Sequence, residues 1–481
     1  DKMIYLIDDD TLVLTDDKNI SVEQNILTSA EFNNISAECT QTNEYNESDI
    51  GIAFDIGTTT IAAAVFTLQN GKLLFTAGEQ NLQSEFGADV IARLSFASAK
   101  EGYDTLHKII LIQINDIVRK TLARLTAENL SERKQPPLLK KIVIAGNTVM
   151  ESLAYGEDVS SLGTYPFTVK NKFGITVIAE RLFNKNSSIP ADCEIFFAPV
   201  VSAFVGGDSV CAITSCIKQS EISLENKSIL LADLGTNCEL VLYDAYSKKI
   251  TCTSAAAGPA FECQGIECGM RCSEGAIVST EYIKETDSFK LKTAGCNNKD
   301  GVKPQGICGT GLVSAVAESI SNGLLTEEGV INNNIISGKD KIILVQESEG
   351  QSQKQIYISQ KDIRNLQLAK GAVKAGIEIL LEKQNESCVK EINLFIAGGF
   401  GTSLNINDLR TIRMLPEESE CNGIKILNAG SAGNASLSGA SLMLLSEKIK
   451  QESINLSQKA VNIDLAQYPD FQNKFISSLN F

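Results

Sequence analysis

GIAFDIGTTTIAAAVF, Gly51 to Phe66, is answered near mid-chain by ILLADLGTNCELVLY, Ile229 to Tyr243. Each copy is an apolar run, an acid, a glycine, hydroxyl residues and a second apolar run, the order of a strand, a tight turn and a returning strand. Gly57 is expected to take up a backbone conformation that other residues resist. The turn Asp55-Ile56-Gly57-Thr58-Thr59-Thr60 then exposes backbone amides and hydroxyls together, and both donate to phosphate oxygens. A carboxylate at the strand end is placed to hold a hydrated Mg²⁺ that bridges those oxygens. Asp233, Gly235, Thr236 and Asn237 repeat the arrangement. One Asp-x-Gly turn joins hairpins for purely structural reasons. Two copies in equivalent contexts point to two similar halves closing on one nucleotide.

A third segment supports the pair. Ile392 to Ala397 is a short apolar run ending in Gly398-Gly399-Phe400-Gly401. A buried strand there gives way to a turn where the backbone can approach a flat ligand, adenine or ribose, although a glycine-rich strand-to-helix turn has the same composition. Rival nucleotide folds are excluded. The Gly-Lys pairs at Gly71 and Gly338 are followed by Leu73 and Asp340, not by the Ser or Thr of a P-loop, and Gly309-Thr310-Gly311 lacks the third glycine of a dinucleotide fingerprint. His107 is the only histidine, so acid–base work falls to carboxylates. Asp55 and Asp233 are the Mg²⁺ candidates. Asp208, in GGDS, is a candidate base orienting an attacking water, and Glu262, in GPAFE, is the alternative for that part; a turn or helix cap is the plain structural reading of either.

These residues resemble the ATPase superfamily of actin, Hsp70 and sugar kinases. In its pattern a phosphate loop, a connecting segment, a second phosphate loop, an adenosine loop and a second connecting segment follow in order. KIVIAGNTVM, Lys141 to Met150, resembles the first connecting strand and brings Gly146 and Asn147 to the nucleotide. NAGSAGNASLSGAS, Asn428 to Ser441, resembles the helical return. Within the superfamily the chain is similar to the reductive activators of corrinoid proteins. The similarity runs through APVVSAFVGGDSVCAI (Ala198 to Ile213), SAAAGPAFECQGIECGMRCSEGAI (Ser254 to Ile277), GICGTGL (Gly306 to Leu312), LQLAKGAVKAGIEILL (Leu366 to Leu381) and IAGGFG (Ile396 to Gly401). The resemblance implies an α/β, actin/Hsp70-like ATPase of two duplicated lobes with a nucleotide cleft. It implies ATP and Mg²⁺ as cofactors, with hydrolysis coupled to uphill electron transfer that reduces Co(II) to Co(I) in a partner corrinoid protein. An electron-donor protein and a homodimer are implied as well. Three alternatives stay open: an activator of another low-potential metalloenzyme working through an iron–sulfur cluster, a small-molecule kinase, and an ATP-gated binding protein without redox work.

At 481 residues the chain has ample length for several domain-sized units. No stretch reaches about 18 uninterrupted apolar residues and no signal-peptide pattern opens it, so a cytoplasmic protein is expected. Its net charge of −16 argues against nucleic acid or an anionic membrane as the main partner. Residues 1–49 carry twelve Asp and Glu against Lys2 and Lys18, a balance of −10, and read as a separate acidic segment, possible remnant of a preceding domain, ahead of the ATPase. Within it Met3 to Leu14 reads as a hairpin turning at Asp8-Asp9-Asp10, and Asn33 to Asp49 as a linker. The first lobe is expected over 50–228, the second over 229–447, and a C-terminal tail or packing arm over 448–481. Related activators carry a plant-type ferredoxin domain in front; its cysteine spacing is not found here, since Cys39 is the only cysteine before Cys193, and the sequence opens on Asp1 rather than Met.

Thirteen cysteines in a protein expected to be cytoplasmic suggest thiols or ligands before disulfides. Cys193, Cys211, Cys216, Cys238, Cys388 and Cys421 read as small buried hydrophobes. Cys263, Cys268 and Cys272, with Cys252, Cys296 and Cys308 nearby in sequence, are dense enough to suggest an iron–sulfur site, although no CxxC pair exists. Helices are expected over Tyr103–Leu125, Asp362–Lys383 and Ala435–Gln451 from their apolar periodicity.

Overall fold

Strand β3 (Asp49–Ile56) shows how the first motif builds its surroundings. In the computed structural model, which describes residues 4–6, 12–14, 45–131, 135–222, 227–295, 302–332, 340–347, 354–383, 389–398, 404–421 and 423–481, nearly the whole strand is buried. Side chains alternate across a strand. Ile50, Ile52, Phe54 and Ile56 join one apolar cluster with Leu106, Ile110, Ile114 and Val118, which recur at helical spacing. The opposite face carries Asp49, Gly51, Ala53 and Asp55, and Gly51 there lies against Leu444 with no room for a Cβ. Small residues thus bring a second helix close to the strand that ends in Asp55.

The chain divides into two units, Asp1–Asn226 with Asn434–Asn462, and Lys227–Gly433 with Ile463–Phe481. In the first, β1 (Ile4–Leu6) pairs antiparallel with β2 (Leu12–Leu14), the hairpin expected there; its acidic turn and residues 33–44 of the expected linker lie outside the described residues. The main sheet adds β4 (Thr60–Thr67), β5 (Leu73–Gln80), β6 (Leu138–Gly146), β7 (Ile175–Ile178) and β8 (Glu194–Phe197) to β3, in the order β5-β4-β3-β6-β8-β7. Helices α1 (Val90–Phe96), α2 (Lys100–Ser131), α3 (Thr148–Tyr155) and α4 (Gly207–Ile222) complete this stretch. α2 contains the expected Tyr103–Leu125 helix, and His107 sits half-buried on it, its Nδ1 2.6 Å from the Leu153 carbonyl.

The second unit repeats the plan with β9 (Ser228–Leu234), β10 (Cys238–Asp244) and β11 (Lys249–Ala255). Next come β12 (Ala276–Ile283), β13 (Ser288–Thr293), β14 (Gly306–Ile307), α5 (Gly309–Ser321), β15 (Lys341–Val345), β16 (Ile356–Ser359) and α6 (Gln360–Glu382). β17 (Glu391–Ala397), α7 (Ile406–Thr411) and β18 (Lys425–Gly433) end this run. Its main sheet runs β11-β10-β9-β17-β18. In both sheets the hairpin strands pair antiparallel, and the acid-bearing strand pairs on its other side with a parallel neighbour, β3 with β6 and β9 with β17. The duplication read from two short motifs therefore extends to five strands in one order and one sense. α6 starts at a capping box, where Ser359 Oγ accepts from the Asp362 amide and Asp362 accepts from that of Ser359.

The chain then returns to the first unit as α8 (Ala435–Leu445) and α9 (Glu447–Gln458). A single helix over Ala435–Gln451 is not what forms. Ser446 takes an extended conformation and its Oγ accepts from the Ile449 amide at 3.2 Å, capping a second helix. Asn434–Asn462 thus belongs with the first unit, not with a second lobe ending at 447, because α8 packs on β3 and β6 and against α4. The remaining Ile463–Phe481, including α10 (Phe471–Ser477), is a packing arm on the second unit, with Phe481 buried and its amide bonded to the Glu327 carbonyl at 2.7 Å. No helix among the described residues is long and apolar enough to cross a membrane.

The closest approach in this packing is at Gly439 on α8, where an added Cβ would stand 1.9 Å from the Cys211 carbonyl oxygen of α4. Gly439→Ala is expected to lower the unfolding free energy by ~1–3 kcal/mol, the cost of overpacking a tight contact. Urea denaturation checks this, and an unchanged midpoint would mean that the helices separate freely.

Candidate functional site

The first turn is held from beneath. Gly57 donates its N–H to the Thr60 carbonyl at 2.9 Å, and a Cβ on it would meet that same oxygen at 2.8 Å. Its φ is not among the positive values, so close approach, not a left-handed backbone, is what demands glycine here. Asn81 Nδ2 donates to the Gly57 carbonyl at 2.8 Å. The guanidinium of Arg93, fully buried, donates to the Thr58 carbonyl, to Gly87 O at 3.0 Å and to Gln83 Oε1 at 3.3 Å. Burial pulls Arg93 down to about 10, still cationic near neutrality, so a positive charge is fixed behind the turn. Thr58, Thr59 and Thr60 remain partly exposed.

Asp55 follows from the strand's alternation. Its carboxylate accepts from Ser436 Oγ at 2.8 Å and from Asn434 Nδ2 at 3.2 Å, both at the N-terminal end of α8. Loss of water raises its pKa, and these two donors oppose the rise. Beside it in register, Ala145 and Gly146 end β6, and Asn147 caps α3 by accepting from the Met150 amide at 3.1 Å. Asn147 Nδ2 reaches Thr58 Oγ1 at 3.3 Å, so the expected Gly146, Asn147 and Thr58 do come together.

Two more carboxylates belong to this unit. Asp208 opens α4 and accepts from the Ser209 amide at 2.7 Å. Glu151, fully buried on α3, accepts from the Gly146 amide at 3.0 Å through Oε1, while Oε2 is buried with no hydrogen-bond partner. Burial, and then the charge of Asp208 and of Asp55, push its pKa well above the usual value. Gly206 and Gly207 let α4 begin against this corner, for a Cβ on Gly207 would lie 2.0 Å from Glu151 Oε1.

In the second unit, Gly235 donates to the Asn237 carbonyl at 3.2 Å across the equivalent turn. Glu262 Oε1 accepts from the Thr236 amide at 3.0 Å and Oε2 accepts from Gln264 Nε2 at 3.1 Å, so Glu262 braces the turn. Ala397 pairs with Asp233 in register, and Gly398, at φ 84°, lies where a Cβ would stand 2.9 Å from Asp233 Oδ1. Gly399, Phe400 and Gly401, expected at the adenosine, lie outside the described residues.

The described cysteines of the suggested iron–sulfur site lie in two apolar clusters. Cys263 is buried in a turn at φ 55°, and the Cys268 thiol faces the Gln355 carbonyl at 3.9 Å. Cys272 packs beside Cys308. Among the described residues no group of three or more His, Cys, Asp or Glu side chains is placed to hold a metal ion. Cys193, Cys211, Cys216, Cys238 and Cys421 are buried, with Cys193 and Cys421 pushed up to about 12 by desolvation. Cys39, Cys296 and Cys388 lie outside the described residues. Asn81, Arg93, Glu151 and Ser436 were not singled out as site residues by the sequence; of these only Ser436 falls in a motif, the segment resembling a helical return.

Comparison with known proteins follows the same division. Residues 50–219 match the family model described as the RACo middle region, and 227–481 that of the C-terminal domain of RACo, the ASKHA domain. A corrinoid activation enzyme, RamQ, of Eubacterium limosum is 30% identical over 91% of this chain and 71% of its own length. A [Co(II) methylated amine-specific corrinoid protein] reductase of Methanosarcina barkeri is 25% identical over 90% of this chain and 77% of its own. The solved structure of a reductive activator for corrinoid, iron–sulfur protein superposes with a TM-score of 0.71 at 29% identity, covering 92% of this chain and 67% of that one.

Glu151 supplies a pH test. Its folded-state pKa is raised, so its contribution to stability is fully present below the unfolded value near 4.5 and is lost as pH rises toward the folded value. Glu151→Gln keeps the acceptor for the Gly146 amide and cannot ionise. In Mg²⁺-free buffer the melting temperature of the variant is expected to fall less than that of the parent between ~pH 5 and ~pH 8; equal slopes would show that Glu151 is ionised in the fold.

Proposed function

The chain belongs to the RACo family, and from that premise we propose that it is an ATP-hydrolysing reductive activase that returns a corrinoid protein from Co(II) to Co(I). The observation that carries this reading is the twin set of acid-bearing hairpins, each ending the same strand of the same sheet order. Asp55 with Thr58–Thr60 serves the phosphates from one unit, and Asp233 with Thr236 and Asn237 from the other. Gly146 and Asn147 stand with the first set and Gly398 with the second; Gly398 to Gly401 are assigned to the adenosine.

The donors fit a hard cation: carboxylate, hydroxyl and amide oxygens, with no thiolate or imidazole among them. Mg²⁺ bound with ATP neutralises phosphate charge and orients the γ-phosphoryl group. Asp55, already biased by burial toward a positive partner, supplies one carboxylate, and Asp233 the other. Arg93 adds a fixed charge behind the first turn, and Asn81 holds its geometry. Asp208 is the better base for an attacking water, since Glu262 is engaged with the Thr236 amide as a brace. Glu151, whose charged form is disfavoured by burial and by Asp208 and Asp55, lowers the repulsion among three neighbouring carboxylates when protonated.

Hydrolysis is useful for an uphill electron transfer only if the nucleotide states differ in affinity for the Co(II) and Co(I) forms of the partner. The electron comes from a separate donor, and a homodimer is the working assembly. The decisive experiment follows visible spectra of a corrinoid protein with reductant, with and without this protein and ATP. An ATP-dependent Co(I) band is expected; its absence overturns the reading. Asp55→Asn and Asp233→Asn are expected to lower ATP turnover by about 10²–10³-fold with the fold intact, the scale of removing one oriented charge from a transition state. Asp208→Asn should lower kcat with little change in KM, and turnover near that of the parent would remove Asp208 from the base role.

A further inference from the structure

Away from the hairpins, two polar side chains converge on one sulfur. Cys308 is the N-cap of α5, and its side chain is buried at 3% exposure. Thr310 Oγ1 lies 3.1 Å from its Sγ and the Cys272 side chain hydrogen-bonds it, while the Cys308 side chain makes no cap bond to the helix amides. When protonated, the thiol has an acceptor in the Ile277 carbonyl at 3.1 Å. The helix end is pressed against β12 at this point, since a Cβ on Gly311 would stand 2.0 Å from the Ile277 oxygen. Cys272 is different in one respect: it is half-buried, packed on Cys308, Ala276 and Val278 with one side toward solvent. The surroundings therefore stabilise an anionic sulfur inside and leave its partner sulfur within reach of a small reagent.

We propose that Cys272 and Cys308 form a redox-active dithiol that closes to a disulfide, with Cys272 as the sulfur met first by an oxidant. The co-reactant is a low-molecular-weight disulfide. Cys308, its own proton released to solvent, takes the proton of Cys272, whose thiolate attacks one reagent sulfur; the reagent S–S bond breaks and one thiolate leaves, to be protonated by solvent. Cys308 then attacks the Cys272 sulfur of the mixed disulfide, its proton passing to solvent, and the second reagent thiolate leaves. Two protein thiols lose two electrons and two protons, and one reagent disulfide becomes two thiols. The step is independent of ATP and of any corrinoid protein, so its outcome and that of the activase reading are separable.

The test uses the full chain, reduced, freed of reductant under anaerobic conditions and exposed to glutathione disulfide. Remaining thiols are then alkylated and the protein is digested without reduction for mass spectrometry. The expected product is a peptide joining Cys272 to Cys308, reversed by dithiothreitol, with two fewer alkylated thiols than before treatment. Cys308→Ser should instead stop at glutathione bound to Cys272, and Cys421→Ser should leave the cross-link as in the parent. The proposal is overturned if the parent stops at a mixed disulfide, if Cys272 pairs with Cys268, or if both thiols stay alkylatable. The measurement on the parent needs no variant to fold.

Discussion

A carboxylate at the end of a buried strand has lost much of its water, and something must replace it. For Asp55 the replacements are the Ser436 hydroxyl and the Asn434 amide, contributed from 381 and 379 residues away in the chain. Two hydrogen bonds to a charged acceptor are worth more than two between neutral groups, yet they leave its pKa raised. An acid in that condition is stabilised further by a bound cation. The small face of β3, with Gly51 and Ala53 ahead of Asp55, is what admits α8 closely enough to deliver those donors.

The second unit solves the same problem with different parts. Asp233 ends a strand in the same position of the same sheet order, but its close neighbour is Gly398 at the end of β17, and its turn is braced by Glu262 rather than by a buried arginine. Duplication has preserved the backbone geometry that presents turn amides and let the supporting side chains diverge. Arg93 and Glu262 carry opposite charge, so the two turns differ in their electrostatic background even where their backbones agree.

Much of this was legible in the sequence because the signals are local. The paired strand-turn-strand runs, the apolar strand before Gly398 and the α2 periodicity each lie within one short window, and each formed the expected element. The supports of the site were not legible in the same way. Arg93 and Asn81 meet the first turn from 35 and 24 residues away, with no spacing rule linking them to it. Glu151 reads as an ordinary helical acid until Gly207, Asp208 and the Gly146 amide are placed around it. The cysteine-dense stretch divides between two apolar clusters, Cys263 and Cys268 with one and Cys272 beside Cys308 in another, which no spacing in the sequence distinguishes.

The return of Asn434–Asn462 to the first unit bears on how the protein is made. A ribosome releases β3 and β6 almost three hundred residues before α8, the helix that covers their second face and supplies the partners of Asp55. Until then the newborn first unit presents an uncovered sheet face and an acid without its donors. Residues as late as Asn462 must leave the exit tunnel before the first unit is finished, and as late as Phe481 before the second is, so the two are completed together rather than in turn.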